Sequence, residues 1–239
     1  MAKKARTPVK SRKNPGMRGF YILLGAVAVI GIGALSYLAA RPKGAATQWD
    51  SSLPKLDAKG HTEGSDSAKL EVIEFADFEC PACGQFATLT EPDVRTHLID
   101  SGVVRIRFID FPLSIHRNTW NAHRAAWCAG DQGKFWQMHD ALYQNQDRWN
   151  TEATDSPDNV ITGLAQGIGL NMDVYNQCVK DRKYQAQIQA NETEALTRQL
   201  DQTPTFVFGN KVIGGYETYD QFKANVEAAI AAQKAAGGK

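Results

Sequence analysis

The chain has 239 residues, 43% hydrophobic and 22% charged, a composition that supports a packed core and excludes a disordered or fibrous protein. Its formal net charge of +1 hides an asymmetry: residues 1–43 hold nine of the 27 basic residues and no acid, which leaves 18 basic against 26 acidic residues in the remainder. A basic head on an acidic body fits membrane topology, and with no basic, aromatic-interleaved stripe in the body, nucleic-acid binding is set aside.

The head runs into 21 uncharged residues, Phe20 to Ala40. At about 1.5 Å per residue they make a helix of roughly 31 Å, which matches a bilayer core of about 30 Å. Lys3, Lys4, Arg6, Lys10, Arg12, Lys13 and Arg18 precede this stretch, and only Arg41 and Lys43 follow closely. The charge bias predicts a cytoplasmic tail over 1–19, one transmembrane helix over 20–40, and residues 44–239 on the periplasmic or extracellular side of the cell membrane. A cleaved signal peptide is the other reading, with Ala34-Leu35-Ser36 as a passable site, but its apolar core should be only about 7–15 residues long. Either reading exports the body to a compartment where disulfides persist.

Residues 41–67, with Pro42 and Pro54 among small and polar residues, read as a linker, with order expected from about Lys69. Leu70–Phe75 reads as a buried strand that leads through Ala76-Asp77-Phe78-Glu79 into Cys80-Pro81-Ala82-Cys83. A helical pattern follows toward Leu98, then a half-buried strand over Val103–Phe108. From about 114 to 200 the pattern is helical: His116–Ala129, Gly133–Gln146, a helix opened by Ser156 as cap with Pro157 at its first position, a segment capped by Asn171 or Asn176, and Arg182–Leu200. Thr205–Phe208, a Gly209-Asn210 turn and Lys211–Ile213 form a hairpin, and Tyr219–Ala232 closes the chain as a helix. The order predicts one α/β domain over 68–235, a mixed sheet covered by helices with an α-helical subdomain inserted at about 114–200.

Cys80 and Cys83 form a C-x-x-C pair at a helix start, where unsatisfied backbone N–H groups and the helix dipole favour thiolate over thiol. Cys80 is then the exposed nucleophile and Cys83 the more buried resolving thiol. A zinc site also uses this spacing, but it needs a second ligand pair, and Cys128, Cys178, His61, His97, His116, His123 and His139 supply none at short spacing. A structural disulfide across so small a ring would constrain little of the unfolded chain.

Together, Val72-Ile73-Glu74-Phe75 through Cys83, the inserted helices with Gly130-Asp131-Gln132-Gly133-Lys134-Phe135-Trp136 ahead of Met138–Leu142, and Thr203-Pro204-Thr205-Phe206 resemble the thioredoxin superfamily. More closely, they resemble its DsbA-like and BdbD-like exported oxidoreductases, over about residues 66–235. The resemblance implies a cis Thr203–Pro204 bond beside the active-site cysteines, with the Thr203 backbone open to an extended substrate. It implies that Glu74 is a buried acid able to relay the Cys83 proton, its pKa raised by burial; the residue pattern alone leaves a half-exposed strand carboxylate as the other reading. The even cysteine count invites a Cys128–Cys178 bridge, with two separate buried thiols as the alternative; some relatives carry a second, non-catalytic disulfide in this insertion, which implies the bridge. Trp120, Trp127, Phe135, Trp136 and Tyr143 read chiefly as core, with a peptide groove the other reading.

The resemblance implies a protein-disulfide oxidase that oxidises reduced exported polypeptides and is itself reoxidised by a quinone-linked membrane partner of the DsbB or vitamin-K-epoxide-reductase kind. No organic cofactor or metal is implied, because the cysteine pair carries the electrons. Ala82 departs from the strongest oxidases, which place His there to hold the thiolate. A reductase or isomerase of the same fold therefore stays open, as does a thioredoxin-like metallochaperone, although Met138 and Met172 lie far from the cysteines in sequence.

Overall fold

The computed structural model describes residues 16–40, 47–50, 53 and 58–237. The basic tail up to residue 15 and linker positions 41–46, 51–52 and 54–57 lie outside the described residues. Helix α1 spans Gly16–Ala40; among its described side chains, those of 19–33, all are exposed. Among the described residues no helix is long and apolar enough to cross a membrane.

The remainder is built on a six-stranded mixed sheet. Strands β1 (Thr47–Gln48), β2 (His61–Glu63), β3 (Leu70–Ala76), β4 (Val104–Asp110), β5 (Thr205–Phe208) and β6 (Lys211–Gly214) lie in the order β1-β6-β5-β3-β4-β2. Among the described residues only β3 and β4 are parallel, joined by a helical crossover; β5 and β6 form the expected hairpin about Gly209-Asn210. Both edge strands come from the stretch read as linker. β2 pairs with β4, and β1 pairs with β6. Gly60 makes the first of these pairings possible, since a Cβ there would stand 2.0 Å from the Phe108 carbonyl oxygen.

Alternation along β3 sends Leu70, Val72 and Glu74 to one face and Phe75 to the other. The first face packs on Phe86, Val94, Phe206, Phe208 and Phe222; the second packs on Ile109, Ala195 and Val207. The crossover helix runs as α2 (Pro81–Gln85), a π turn (Phe86–Thr90), α3 (Glu91–Val94) and a second π turn (Arg95–Ile99). Pro92, which lacks an N–H to donate to the preceding turn, sits inside it, and the widened turns accommodate the missing bond. Helix α10 (Tyr219–Gly237) buries Phe222 and Val226 on the same side of the sheet.

The insertion comprises α4 (Thr119–Gly130), α5 (Phe135–Gln144), α6 (Gln146–Trp149), α7 (Asp158–Gly167) and α8 (Met172–Lys180), followed by α9 (Gln185–Thr197). Asn171 caps α8, accepting from the N–H groups of Asp173 and Val174. Ser156 is not the cap of α7, which starts at Asp158 with Pro157 in the cap position and no side-chain cap. Cys128 on α4 and Cys178 on α8 are joined as a disulfide, their Cα atoms 5.8 Å apart. Trp127, Phe135 and Tyr143 are buried, and Trp120 and Trp136 are partly so.

Candidate active site

Three segments converge at the C-terminal end of β3. The chain leaves the strand at Ala76, turns through Asp77-Phe78-Glu79, and enters α2 with Cys80 at the N-cap and Pro81 in the first turn, where no N–H is needed. Two buried carboxylates brace this turn. Asp77 accepts from the Glu79 N–H (2.8 Å), the Leu113 N–H (2.8 Å), the Thr119 hydroxyl and His116 Nδ1 (2.7 Å). Glu79 accepts from the N–H groups of Asn118 and Thr151, and so ties the cysteine loop to the insertion. Gln146 Nε2 donates to the carbonyls of Phe78 and Cys80.

Both cysteines are thiols in this structure; Cys80, expected to be exposed, is buried with 7% of its surface open, and Cys83 has none. Cys80 is brought down to about 6, chiefly by the hydrogen bond from the Cys83 thiol, against the opposing effect of burial, with the backbone of residues 82 and 83 adding to the lowering. Cys83 moves the other way: burial, and the thiolate beside it, hold it well above the ordinary thiol range. At neutral pH the pair is therefore one thiolate and one thiol, the asymmetry that lets one sulfur attack or be attacked while the other resolves.

Thr203–Pro204 is a cis peptide, and the Thr203 carbonyl accepts from Cys80 Sγ at 3.3 Å. The Pro204 carbonyl is tied to the Gly215 N–H at 2.7 Å. Glu74 occupies a core-facing position of β3 and is 2% exposed, not half-exposed; burial pushes it up to about 8, with Arg95 pulling the other way. Its charge is felt at Cys83. The structure thus gathers Cys80, Cys83, Thr203, Pro204 and Glu74, whereas the Cys128–Cys178 disulfide lies in the insertion, between α4 and α8.

Sequence reasoning missed Asp77, Glu79 and His116. His116 is raised by its hydrogen bond to Asp77, and the Cys80 thiolate adds to the shift. The available signal was two acids wedged between a hydrophobic strand and the C-x-x-C pair, where a solvated charge has little room. Among the described residues no group of three or more His, Cys, Asp or Glu side chains is placed to hold a metal ion.

Comparison with known proteins agrees with this geometry. The thioredoxin family profile matches residues 57–228. The Na(+)/H(+) antiporter NhaA 3 of Salinispora tropica is 33% identical over 77% of this chain, which covers 27% of that protein; the chain spans about a quarter of the length of the antiporters it matches. Disulfide bond formation protein D of Bacillus subtilis is 25% identical over 69% of the chain and 74% of its own length. Among solved structures, oxidised BdbD of Bacillus subtilis superposes with a TM-score of 0.61 at 20% identity, covering 75% of this chain and all of that one. Alpha-DsbA1 of Wolbachia pipientis gives 0.65 at 23% identity, over 77% and 96%. The chain belongs to the thioredoxin family and has the fold of its DsbA-like and BdbD-like thiol–disulfide oxidoreductases.

Proposed function

We propose that this protein is an exported, membrane-tethered thiol oxidase that introduces disulfide bonds into reduced polypeptides. The observation that carries the reading is the lowered Cys80 thiol, because a thiolate stabilised in the reduced form makes the Cys80–Cys83 disulfide a stronger oxidant. At pH 7, lowering a thiol from 9 to about 6 favours the reduced state by about 1.4 kcal/mol, or about 30 mV of potential.

In the proposed cycle a substrate thiolate attacks Cys80 Sγ, the Cys80–Cys83 bond breaks, and Cys83 leaves and takes a proton. A second substrate thiol then attacks the substrate sulfur of the mixed disulfide and releases Cys80 as thiolate. The substrate has lost two electrons and two protons, and the enzyme holds the electrons as one thiolate and one thiol. The Thr203 carbonyl and neighbouring backbone support an extended substrate chain beside Cys80. Reoxidation is assigned to a quinone-linked membrane partner of the DsbB or vitamin-K-epoxide-reductase kind. The tether is residues 20–40, supported by their lack of charge and by exposed Phe20, Ile22, Leu23, Val27 and Ile30 along α1, with the basic tail cytoplasmic and the body periplasmic or extracellular.

The test is to mix the full chain, oxidised at Cys80–Cys83, with a reduced, unfolded secreted protein under argon and follow both by mass spectrometry. One substrate disulfide formed per enzyme disulfide consumed is expected. Substrate thiols that stay reduced, while the enzyme disulfide persists, would overturn the oxidase reading.

A further inference from the structure

The described domain buries more acid than the cysteine chemistry just set out uses, and one such group is Glu91 with His139. Glu91, in α3, is fully buried, and neither carboxylate oxygen accepts a well-formed hydrogen bond from the protein, although Arg95 Nη2 stands 2.9 Å from Oε1. His139, from α5, is also fully buried; its Nε2 has no hydrogen-bond partner and lies 3.7 Å from Glu91 Oε2, while its Nδ1 bonds Asp140 Oδ1 at 2.8 Å. The Asp140 side chain is 34% exposed and lines a surface cleft with Arg95, Tyr143 and Gln144.

On the inner side the group meets Glu74. In the sheet register Glu74 stands between Phe108 and Phe206. Phe108 packs edge-on to His139, with ring centroids 5.6 Å apart, and Phe206 packs on Phe86, one turn before Glu91 in the same helical run. Glu74 Oε2 likewise has no hydrogen-bond partner in the protein. Arg95 lowers the proton affinity of both Glu74 and Glu91, and the charge of Glu74 raises that of Glu91. Glu74 Oε2, Glu91 Oε2 and His139 Nε2 are thus buried polar atoms without a hydrogen-bond partner, Glu74 is close enough for its charge to act on Glu91, and His139 leads on to the partly exposed Asp140.

We propose that Glu91 and His139 form a proton path between the buried Glu74 carboxyl, which serves Cys83, and solvent at Asp140. The proposal rests on the oxidoreductase reading of Cys80 and Cys83. When the Cys80–Cys83 bond breaks, the Cys83 thiolate takes the Glu74 proton; Glu74 takes one from Glu91; and Glu91 is resupplied by solvent through the imidazole, which receives a proton on one nitrogen and gives one up from the other. Reoxidation runs the transfers backwards. The 3.7 Å gap from His139 to Glu91 closes to hydrogen-bond distance with a shift of roughly 0.8 Å. Arg95, hydrogen-bonded to Glu63 and Asp140 and ion-paired with Glu91, holds the exit end together. The groups facing Glu91 are Arg95 on its own helical run, His139 and Asp140 on α5, and Glu74 on β3; Glu217, ahead of α10, turns its carboxylate to Asn225 instead. Burial pushes Glu91 up to about 7, so its carboxyl can both hold and pass a proton near neutrality.

The experiment is single-turnover reduction of the oxidised full chain by dithiothreitol from pH 5.5 to 8.5, quenched with acid and read by mass spectrometry. Wild type is compared with Glu91→Gln and His139→Gln, each checked by thermal melting. Both variants are expected to slow cleavage roughly tenfold or more and to lose an inflection near pH 7, while the thiolate absorbance of reduced Cys80 titrates as in wild type. If either variant does not fold, the other together with the wild-type pH profile carries the test. Wild-type rates and profiles in both variants would overturn the path and leave the oxidoreductase reading intact. A wild-type protein that dithiothreitol does not reduce at Cys80–Cys83 would instead refute that underlying reading.

Discussion

Replacing Glu74 by Gln should make the protein more resistant to alkaline loss of stability, by an amount the structure fixes. The wild-type carboxyl has a pKa of about 8 when folded, against 4.5 for the same group in water. A carboxyl whose folded pKa is raised binds more protons folded than unfolded between those two values, so its contribution is fully present below pH 4.5 and is lost as pH rises toward 8. At about 1.4 kcal/mol per pH unit, the wild-type protein gives up about 3 kcal/mol between pH 4.5 and pH 7 on account of this residue. Gln keeps the shape and does not titrate. The difference in unfolding free energy, Glu74→Gln minus wild type, should therefore rise by about 3 kcal/mol over that interval, whatever fixed cost the new amide brings. Urea unfolding of both proteins with Cys80 and Cys83 reduced, at pH 4.5 and 7.0, measures it, and the cysteine titrations cancel in the comparison. A difference that stays constant to within about 1 kcal/mol would show that Glu74 is ionised in the folded protein, and would remove it as the proton donor to Cys83.

Three further outcomes follow from named contacts. Cys83→Ala removes the main support of the Cys80 thiolate, so its absorbance midpoint near 240 nm should move up from about 6 toward the ordinary thiol value, and Cys80 alkylation at pH 7 should slow. Asp110 accepts from His123 Nδ1 (2.6 Å), Trp127 Nε1 (2.7 Å) and Asn191 Nδ2 (2.7 Å), all buried, so Asp110→Ala should cost about 3–5 kcal/mol by urea unfolding. Cys128→Ala/Cys178→Ala opens a crosslink over 50 residues and should lose about 2–4 kcal/mol, while the Cys80 absorbance midpoint stays in place.

What could be read from the sequence was what local chemistry writes. Strand β3, the cysteine pair at a helix start and the hairpin after Pro204 each announce themselves within a few residues, whereas the even cysteine count only invited a Cys128–Cys178 bridge, with separate thiols the alternative, and the family resemblance supported it. The edge strands were not legible, because two or three residues in a polar, proline-bearing stretch carry no periodicity; β2 is set by where Gly60 lets the backbone approach Phe108. Nor were the buried acids. Asp77, Glu79, Glu91 and Asp110 look like surface charges in sequence, and partners such as His116, Asn118 and His123 stand 13 to 39 residues away, in segments whose packing no local pattern fixes. The helix after Cys83 was legible in extent but not in form, since Pro92 changes its turns without ending it.

The central claim is that Cys80–Cys83 donates disulfides, and its reduction potential tests that most directly. The full chain is equilibrated with glutathione buffers at pH 7 and the state of Cys80 and Cys83 is read by differential alkylation and peptide mass spectrometry, which keeps Cys128–Cys178 out of the signal. A potential more oxidising than about −200 mV is expected. A value near or below about −270 mV, the range of a thioredoxin, would contradict the oxidase reading and make the protein a reductase.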